Sequence, residues 1–503
     1  MTLSIGLDVG TTAIKAAAYG TDGIIVARAE KPAYVVRSAD GVSEQDPLAI
    51  WDATAACLRD LIAQIDAEDV SALGICAQGD GFWPLDAHKQ PVRNAILWSD
   101  TRPQAAADLD DLAASGALDV VGQGCDTALW PGTSGLGWRW LRAHAPRAAA
   151  KVAHAVTCGD WIGAQLTGVI ATDFANASIP FLDFGTRDYG DAVTALDCED
   201  LRAALPVPRH ATDVLGHVTQ AAATQTGLPA GLPVSVATLD IAAMITGLGM
   251  AQPGDAMMIL GTTAVVTILR DTPAAHSPPM SAATLHATRD VIIRILAPTT
   301  GAAAFDWFAT LHPLSLGGES ASEIAEKLNR LVKDIPIGAN GVTFLPYLNG
   351  ERAPFVNPAI RASFIGMGQT TTKGELGRAV MEGTAFSLRH CFESEGGLPD
   401  APVQLTGGGA QNAVWCQIIA DVMGQDVLVN PASDLGLWGA ASIGRAAVTG
   451  EDAIALSERQ GAITRYQSDA SAHAAYFEPY SRYSLLSEAM QAVQHKTNPS
   501  KGA

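Results

Sequence analysis

The segment Asp8-x-Gly10-Thr11-Thr12-x-x-Lys15 sets a carboxylate, two hydroxyls and an ammonium within eight residues, and Gly261-Thr262-Thr263-Ala264 repeats the start of its loop in the second half of the chain. Each copy follows a short apolar run, ending at Val9 and Leu260. Glycine lets backbone approach a ligand, and adjacent amide N–H groups and Thr hydroxyls can hold phosphate oxygens. A single copy reads as an ordinary turn capped by threonines; two in matching contexts point to a nucleotide site shared by two related domains that face a cleft. No Gly-x4-Gly-Lys-Ser/Thr occurs, which excludes a P-loop as the phosphate site. Asp8 supplies a carboxylate where a metal–nucleotide would sit, so phosphoryl transfer is the chemistry expected.

The elements that must position these residues follow from pattern. Leu3–Asp8, Lys15–Tyr19 and Ile24–Ala29 read as strands, the last two joined by a hairpin turn at Gly20-Thr21-Asp22-Gly23. A helix is expected over 48–67 and a strand over 72–76. A strand over 234–237 leads to Asp240 and a small-residue helix over 241–248. Strands at 257–260 and 264–269 flank the second loop. A long helix is expected over 374–392, then the strand Val403–Thr406, the turn Gly407-Gly408-Gly409 and a helix over 413–422.

The chain has 503 residues, too many for one core and suited to two domains of roughly 200–250 residues each. Pro253-Gly254 punctuates a boundary, giving domains at 1–248 and 249–493 and a polar, disordered tail at 494–503. A formal charge of −20 argues against nucleic acid or an anionic membrane as partner, but not against ATP bound through local amides. The seven cysteines (Cys57, Cys76, Cys125, Cys158, Cys198, Cys391, Cys416) form no Cys-x-x-Cys pair, as expected of buried thiols in a reducing compartment. With Met1-Thr2-Leu3 running straight into the first strand and no apolar stretch long enough for a bilayer, the expected location is cytoplasmic. A homodimer is left open.

The stretch Ala362–Glu382, ASFIGMGQTTTKGELGRAVME, resembles the signature of the FGGY carbohydrate kinases at Ala362, Phe364, Gly366, Met367, Glu375, Leu376, Ala379 and Glu382. The resemblance extends from Ile5–Thr12 to Tyr480–Tyr483. It implies an α/β fold of two actin-like (ribonuclease H-like) domains with a mixed sheet in each and the active site in the cleft between them. One family motif departs: where such kinases often carry a lysine, Ser134-Gly135-Leu136-Gly137-Trp138 has Gly137, which bears on substrate identity.

Residue by residue, the resemblance implies Asp240, in Val-Ala-Thr-Leu-Asp-Ile-Ala-Ala, as the base that takes the proton from the sugar hydroxyl. Asp before a helix is also a favoured N-cap. Asp8 resembles the family carboxylate that holds Mg²⁺ through water. Thr11, Thr12 and Lys15 would contact phosphate of ATP from one domain, Gly261 and Thr262 from the other. Gly408 and Asn412, in Thr406–Asn412, carry over as nucleotide contacts. On the substrate side stand Gln78, Gly79 and Asp80, and Trp98, Asp100 and Arg102 from a Trp-x-Asp-x-Arg motif. Carboxylates accept hydrogen bonds from adjacent hydroxyls, so Asp80 and Asp100 suit a small neutral sugar or polyol. The Gln-Gly-Asp-Gly segment looks closer to the L-xylulose and erythritol kinases than to the D-xylulose ones, and Gly350–Pro354 resembles the loop of the pentulose and erythritol branches. The expected activity is ATP-dependent phosphorylation of a primary hydroxyl on a ketopentose or a four-carbon polyol. The competing class is an actin- or chaperone-like ATPase with no sugar substrate; a catalytically dead sugar sensor is disfavoured by the presence of both Asp8 and Asp240.

Overall fold

The structure, a computed structural model, describes residues 2–103, 109–274, 281–311, 321–430, 434–457 and 463–497. The chain forms two compact units: Met1–Ala251 with Arg270–Ile293 and Asp434–Gln460, and Gln252–Leu269 with Arg294–Ser433 and Gly461–Ala503. Each carries its own mixed sheet. The single boundary expected at 248/249 therefore gives way to a chain that enters and leaves the first unit repeatedly, for a packing reason given below. The expected tail begins as helix, since the last helix runs Phe477–Thr497; residues 498–503 lie outside the described set.

In the first unit the sheet order is Val214–His217, Pro233–Ser235, Val70–Ala77, Leu3–Val9, Ala13–Tyr19, Ile25–Pro32, with Thr238–Leu239 also paired to Val70–Ala77. Leu3–Val9 is covered on both faces, which its near-continuous apolar run requires. The Asp-Gly turn forms as expected: Asp22 accepts from the Ile24 amide at 3.0 Å, and Gly23 takes a φ of +77°. The helix expected over 48–67 is Pro47–Ile62, capped by Asp46. It stops short because Asp66 caps a separate 3-10 turn at Ala67–Asp69. The strand expected over 234–237 is two short strands, Pro233–Ser235 and Thr238–Leu239.

The helix Leu435–Thr449 is the reason the first unit recruits a segment from so late in the chain. Its sequence LGLWGAASIGRAAVT presents glycine and alanine where it meets the sheet. A Cβ on Gly6 would stand 1.9 Å from the Leu437 carbonyl oxygen, and one on Gly74 1.7 Å from that of Ala440. On its other side a Cβ on Gly439 would stand 1.8 Å from the Ala243 carbonyl oxygen, and one on Gly247 2.2 Å from that of Leu435. Only backbone without side chains can approach this closely.

The second unit has strands Ala264–Arg270, Ala256–Leu260, Val403–Thr406, Val427–Val429 and Thr464–Tyr466 in that order in its sheet. Its long helix, Lys373–Ser394, opens on a reciprocal capping box between Thr372 and Glu375. The signature residues build this unit. Phe364 stacks with Trp307 and meets Phe344 at a tilt, and Gly366 takes a φ of +90° against the Gly341 backbone. Buried Glu382 accepts from the Gly338 amide, Arg378 and Tyr476.

Gly74→Ala forces its methyl into the Ala440 carbonyl, and overpacking of this kind typically costs about 1–3 kcal/mol. The expected result in thermal unfolding is a clear drop in Tm, with no drop for Gly368→Ala, whose Cβ would meet nothing within 4 Å. Equal Tm values for the two variants would contradict the close-packing account.

Candidate active site

Strand register brings the first three carboxylates together. Asp8 lies opposite Lys15 on one side and Cys76 on the other, and Thr238 pairs with Cys76 from the far side of the same strand. Two residues after Thr238, Asp240 opens the helix Asp240–Gly247. Three residues after Ala77, where the central strand ends, comes Asp80. It holds a φ of +54° and Gly81 one of +75°, a left-handed turn that Asp tolerates and Gly favours. A Cβ on Gly79 would fall 1.8 Å from Leu239 Cδ1, so a larger residue there would have to displace that side chain. Asp240 is the first helical residue and not the N-cap, which is Leu239; its Oδ1 accepts from the Ile241 amide at 2.6 Å.

These carboxylates destabilise one another's charge. Burial, then the Asp240 charge, raises Asp8 to about 7, against the opposing pull of Lys15. Burial and Asp240 likewise raise Asp80 to about 7. Asp240 rises to about 6 through desolvation, partly offset by the Ile241 amide. Its side chain nevertheless remains open to solvent, and among the described residues Asp80 makes no side-chain hydrogen bond. A solvent-accessible carboxylate poised near neutrality is what a general base requires.

The remaining expected contacts divide. Thr11 donates to Gln78 Oε1 at 2.9 Å and accepts from the Trp98 indole at 3.2 Å, while Gln78 donates to Gln45 at 2.7 Å and Gln45 to the Thr11 carbonyl at 2.9 Å. The Thr11 hydroxyl is therefore bound into the wall beside Gln78, whereas Thr12 and Lys15 are exposed. Asp100 and Arg102, expected at the substrate, are turned onto each other. Asp100 is buried, accepts from the Ser43 amide at 2.9 Å, and meets Arg102 at 2.6 Å. Arg102 also pairs with Glu44 and stacks 4.5 Å over Trp140. Both carboxylate oxygens of Asp100 are engaged, so this pair braces the loop that carries Trp98. Gln45 and Glu44 were not singled out from sequence; the polar run Ser43-Glu44-Gln45-Asp46 ahead of a helix was their only mark. Gly137 is buried, and a Cβ there would stand 3.0 Å from Phe82, so a side chain at this position would press on that ring's Cβ.

In the second unit, Gly261–Thr263 links two antiparallel strands, and the Gly261 and Thr262 carbonyls accept from Ala302 and Gly301 at 2.6 and 3.0 Å. Thr262 and Gly408 are exposed, and nothing lies within 4 Å of a Cβ on Gly408, which leaves backbone open to a flat ring. Asn412, expected as a nucleotide contact, has its Oδ1 capping the helix Ala413–Met423 through the Trp415 amide at 3.2 Å, which leaves its amide NH₂ as the group available to a ligand. Glu351 closes the 350–354 loop by accepting from the Thr299 and Arg352 amides at 2.7 and 2.8 Å. Among the described residues no three His, Cys, Asp or Glu side chains group to hold a metal. A divalent ion here would need phosphate oxygens beside Asp8, whose raised pKa marks a position that a cation would relieve.

The raised carboxylates carry a stability consequence. Asp80 moves from an ordinary 3.8 to about 7 on folding, so its ionised form opposes the fold. The cost is absent below pH 4 and develops as pH rises toward 7. Asp80→Asn is therefore expected to raise Tm at pH 8 and to leave it nearly unchanged at pH 4; a pH-independent effect would show that desolvation is not acting on Asp80.

Residues 3–247 match the N-terminal domain, and residues 256–448 the C-terminal domain, of the FGGY family of carbohydrate kinases. The chain is 30% identical over 485 residues to a xylulose kinase of Escherichia coli (strain K12), covering 94% of this chain and 96% of that one. It is 28% identical over 476 residues to an erythritol kinase of Brucella abortus (strain 2308), covering 88% and 87% respectively. A crystal structure of xylulose kinase from Rhodospirillum rubrum superposes with a TM-score of 0.87 at 27% identity, over 98% of this chain and all of that one (100%). With both domains matched in order along nearly the whole chain, the chain belongs to the FGGY family of carbohydrate kinases.

Proposed function

We propose that this chain transfers the γ-phosphoryl group of MgATP to a primary hydroxyl of a small neutral sugar or polyol, either a ketopentose of the D- or L-xylulose type or a four-carbon polyol of the erythritol type. The observation that carries this reading is the convergence of Asp8, Asp80 and solvent-open Asp240 on neighbouring strand ends, with raised pKa values. The names of its relatives support the substrate class.

In this mechanism Asp240 orients the acceptor hydroxyl and takes its proton as the new O–P bond forms and the bond to the ADP oxygen breaks. Proton acceptance of this kind contributes about 10²–10⁴-fold to rate. Asp80, with no partner of its own, accepts hydrogen bonds from further hydroxyls. Asp8 would hold the metal of MgATP, which offsets charge on the transferring phosphoryl group. Thr12, Lys15, Gly261 and Thr262 are assigned to phosphate, and the open Gly408 backbone with the Asn412 amide to the nucleoside. Buried, disulfide-free cysteines fit a cytoplasmic setting.

Asp240→Asn is expected to lower kcat by at least about 10²-fold with acceptor affinity within a few-fold, because the amide keeps the shape but takes no proton. In the parent, kcat/KM should fall as pH drops below about 6–7, where Asp8, Asp80 and Asp240 protonate, and not near 4. Near-normal turnover by the variant would move the base elsewhere.

ADP release measured with D-xylulose, L-xylulose, D- and L-ribulose, erythritol, glycerol and gluconate tests the substrate class. Turnover should require an acceptor and favour ketopentoses or tetritols over gluconate, whose carboxylate meets three acidic groups while Arg102 is occupied. Asp80→Ala should cost roughly ten- to a hundredfold in kcat/KM on the best acceptor, the effect of losing a hydrogen bond to a charged group. Acceptor-independent ADP release would return the chain to the actin-like ATPase reading, and a preference for gluconate would remove Asp80 from the acceptor.

A further inference from the structure

Gln45 lies wholly within the first unit, at the end of a strand that touches both of the loops the proposed reaction needs there. That strand, Ser43–Gln45, pairs with Ala95–Ile96, and Asp46 beside it caps the helix Pro47–Ile62, so the Gln45 backbone is held on both sides. Its side chain closes a ring of three hydrogen bonds. Gln45 Nε2 donates to the Thr11 carbonyl at 2.9 Å, and Gln45 Oε1 accepts from Gln78 Nε2 at 2.7 Å. Gln78 Oε1 then accepts from the Thr11 hydroxyl at 2.9 Å. Gln45 is 0% exposed and Gln78 3%, so bulk water does not stand in for a bond that is lost.

The ring runs in one direction only. The Thr11 carbonyl can only accept, and the Trp98 indole N–H, 3.2 Å from the Thr11 hydroxyl oxygen, can only donate. The first requires Gln45 to turn its NH₂ to Thr11 and hence its carbonyl to Gln78. The second sends the Thr11 hydroxyl proton to Gln78 Oε1. Neither amide can flip without setting like groups against each other. The Gln78 NH₂ also meets the Cys158 sulfur at 4.0 Å, a weak acceptor. Gln78, expected from the sequence to touch the acceptor, is thus spent on the ring, whereas Asp80 two residues on makes no side-chain hydrogen bond among the described residues. The ring corners at Thr11 and Gln78 are the last side-chain anchors before exposed Thr12 on one loop and the Gly79–Gly81 turn on the other.

We propose that Gln45 is a positioning residue for phosphoryl transfer: by locking Thr11 to Gln78 it fixes the phosphate loop and the acceptor turn relative to each other, with Gln78 acting through the ring and not on the acceptor. The proposal rests on the reading that assigns Asp80 to the acceptor and Thr12 to phosphate. In-line transfer needs both reactants in one alignment, and a misplacement of about 1 Å costs on the order of 10²-fold. A residue that ties the two loops together therefore acts on both substrates while touching neither.

The test is steady-state kinetics of the full chain with the best sugar or polyol and ATP. Gln45→Met keeps the length of the side chain and removes both of its bonds, so it should raise the KM for the acceptor and the KM for ATP together, each about three- to tenfold. Two cross-effects should accompany it. Thr11→Val, on the phosphate loop, should raise the acceptor KM, and Gln78→Met, on the acceptor turn, should raise the KM for ATP. The double variant Gln45→Met/Gln78→Met should be no worse than the worse single one, since either change opens the same ring. KM does not depend on the amount of folded enzyme, so a ring that served stability alone would lower Tm and Vmax and leave both KM values at the parent's. That result overturns the proposal, as does a rise in one KM only. Should Gln45→Met fail to fold, the cross-effects decide, and the absence of both overturns it equally. If the parent phosphorylates an acceptor and responds to Asp80→Ala while Gln45→Met leaves both KM values unchanged, the positioning role alone fails. If no sugar or polyol is phosphorylated, the kinase reading fails and the positioning role with it.

Discussion

Three segments distant in sequence meet under the helix Leu435–Thr449: the strand bearing Gly6, the strand bearing Gly74, and the helix bearing Ala243 and Gly247. Those same segments deliver Asp8, the Gln78–Gly81 turn, and Asp240. The backbone contact is so close that a single methyl at Gly74 or Gly6 would overlap a carbonyl oxygen. Packing of this kind leaves no freedom to slide, and the acidic cluster inherits that rigidity. Tyr19 fixes the helix entry through a 2.6 Å bond to Asp434, and Trp438 holds its other side through the Ser457 carbonyl at 2.7 Å. The glycines are thus the condition for the geometry of the site, although none of them touches a substrate in the proposed mechanism.

The cluster itself runs against stability. Each of the three carboxylates would ionise near pH 4 alone; desolvation raises Asp240 to about 6, and desolvation together with the Asp240 charge raises Asp8 and Asp80 to about 7. Such a concentration of like charge persists only where the surrounding scaffold is rigid, and it supplies a carboxylate able to exchange a proton close to neutrality. A cation and hydroxyl-rich guest would relieve the same repulsion.

Several of the sequence motifs also make contacts that hold the fold. The Trp-x-Asp-x-Arg segment folds its acid onto its base, so that Asp100 and Arg102 hold the loop bearing Trp98, whose indole reaches Thr11. The long signature around Ala362–Glu382 supplies a stacked aromatic, a capping box and a buried Glu382 whose Oε1 accepts three hydrogen bonds. Asn412 begins a helix, and Glu351 ties its loop to the Thr299 amide. Recurrent patterns of this kind identify the family because they specify the fold.

The sequence by itself determined the local elements and the identity of the chemistry. Apolar runs, the Asp-Gly turn and the repeated Gly-Thr-Thr loop were enough to place most of the expected strands to within two or three residues, although the one expected over 234–237 is split in two. Asp8, Asp80 and Asp240 stand out in the sequence as acids beside strand ends and a helix start, while their expected roles came from the resemblance to the carbohydrate kinases. The path of the chain between units was not legible, because nothing in the alanine- and glycine-rich stretch 435–449 says which sheet its flat face will meet. The pairing of Asp100 with Arg102 was equally hidden, since a carboxylate two residues from a guanidinium can face either it or a ligand. Gln45 became visible only when folding brought it to Gln78 and the Thr11 carbonyl. Tertiary structure decided these points because each depends on which backbone lies nearest across space: close approach, burial and the competition of neighbours for a lone pair are properties of the packed chain, absent from its spacing along the sequence.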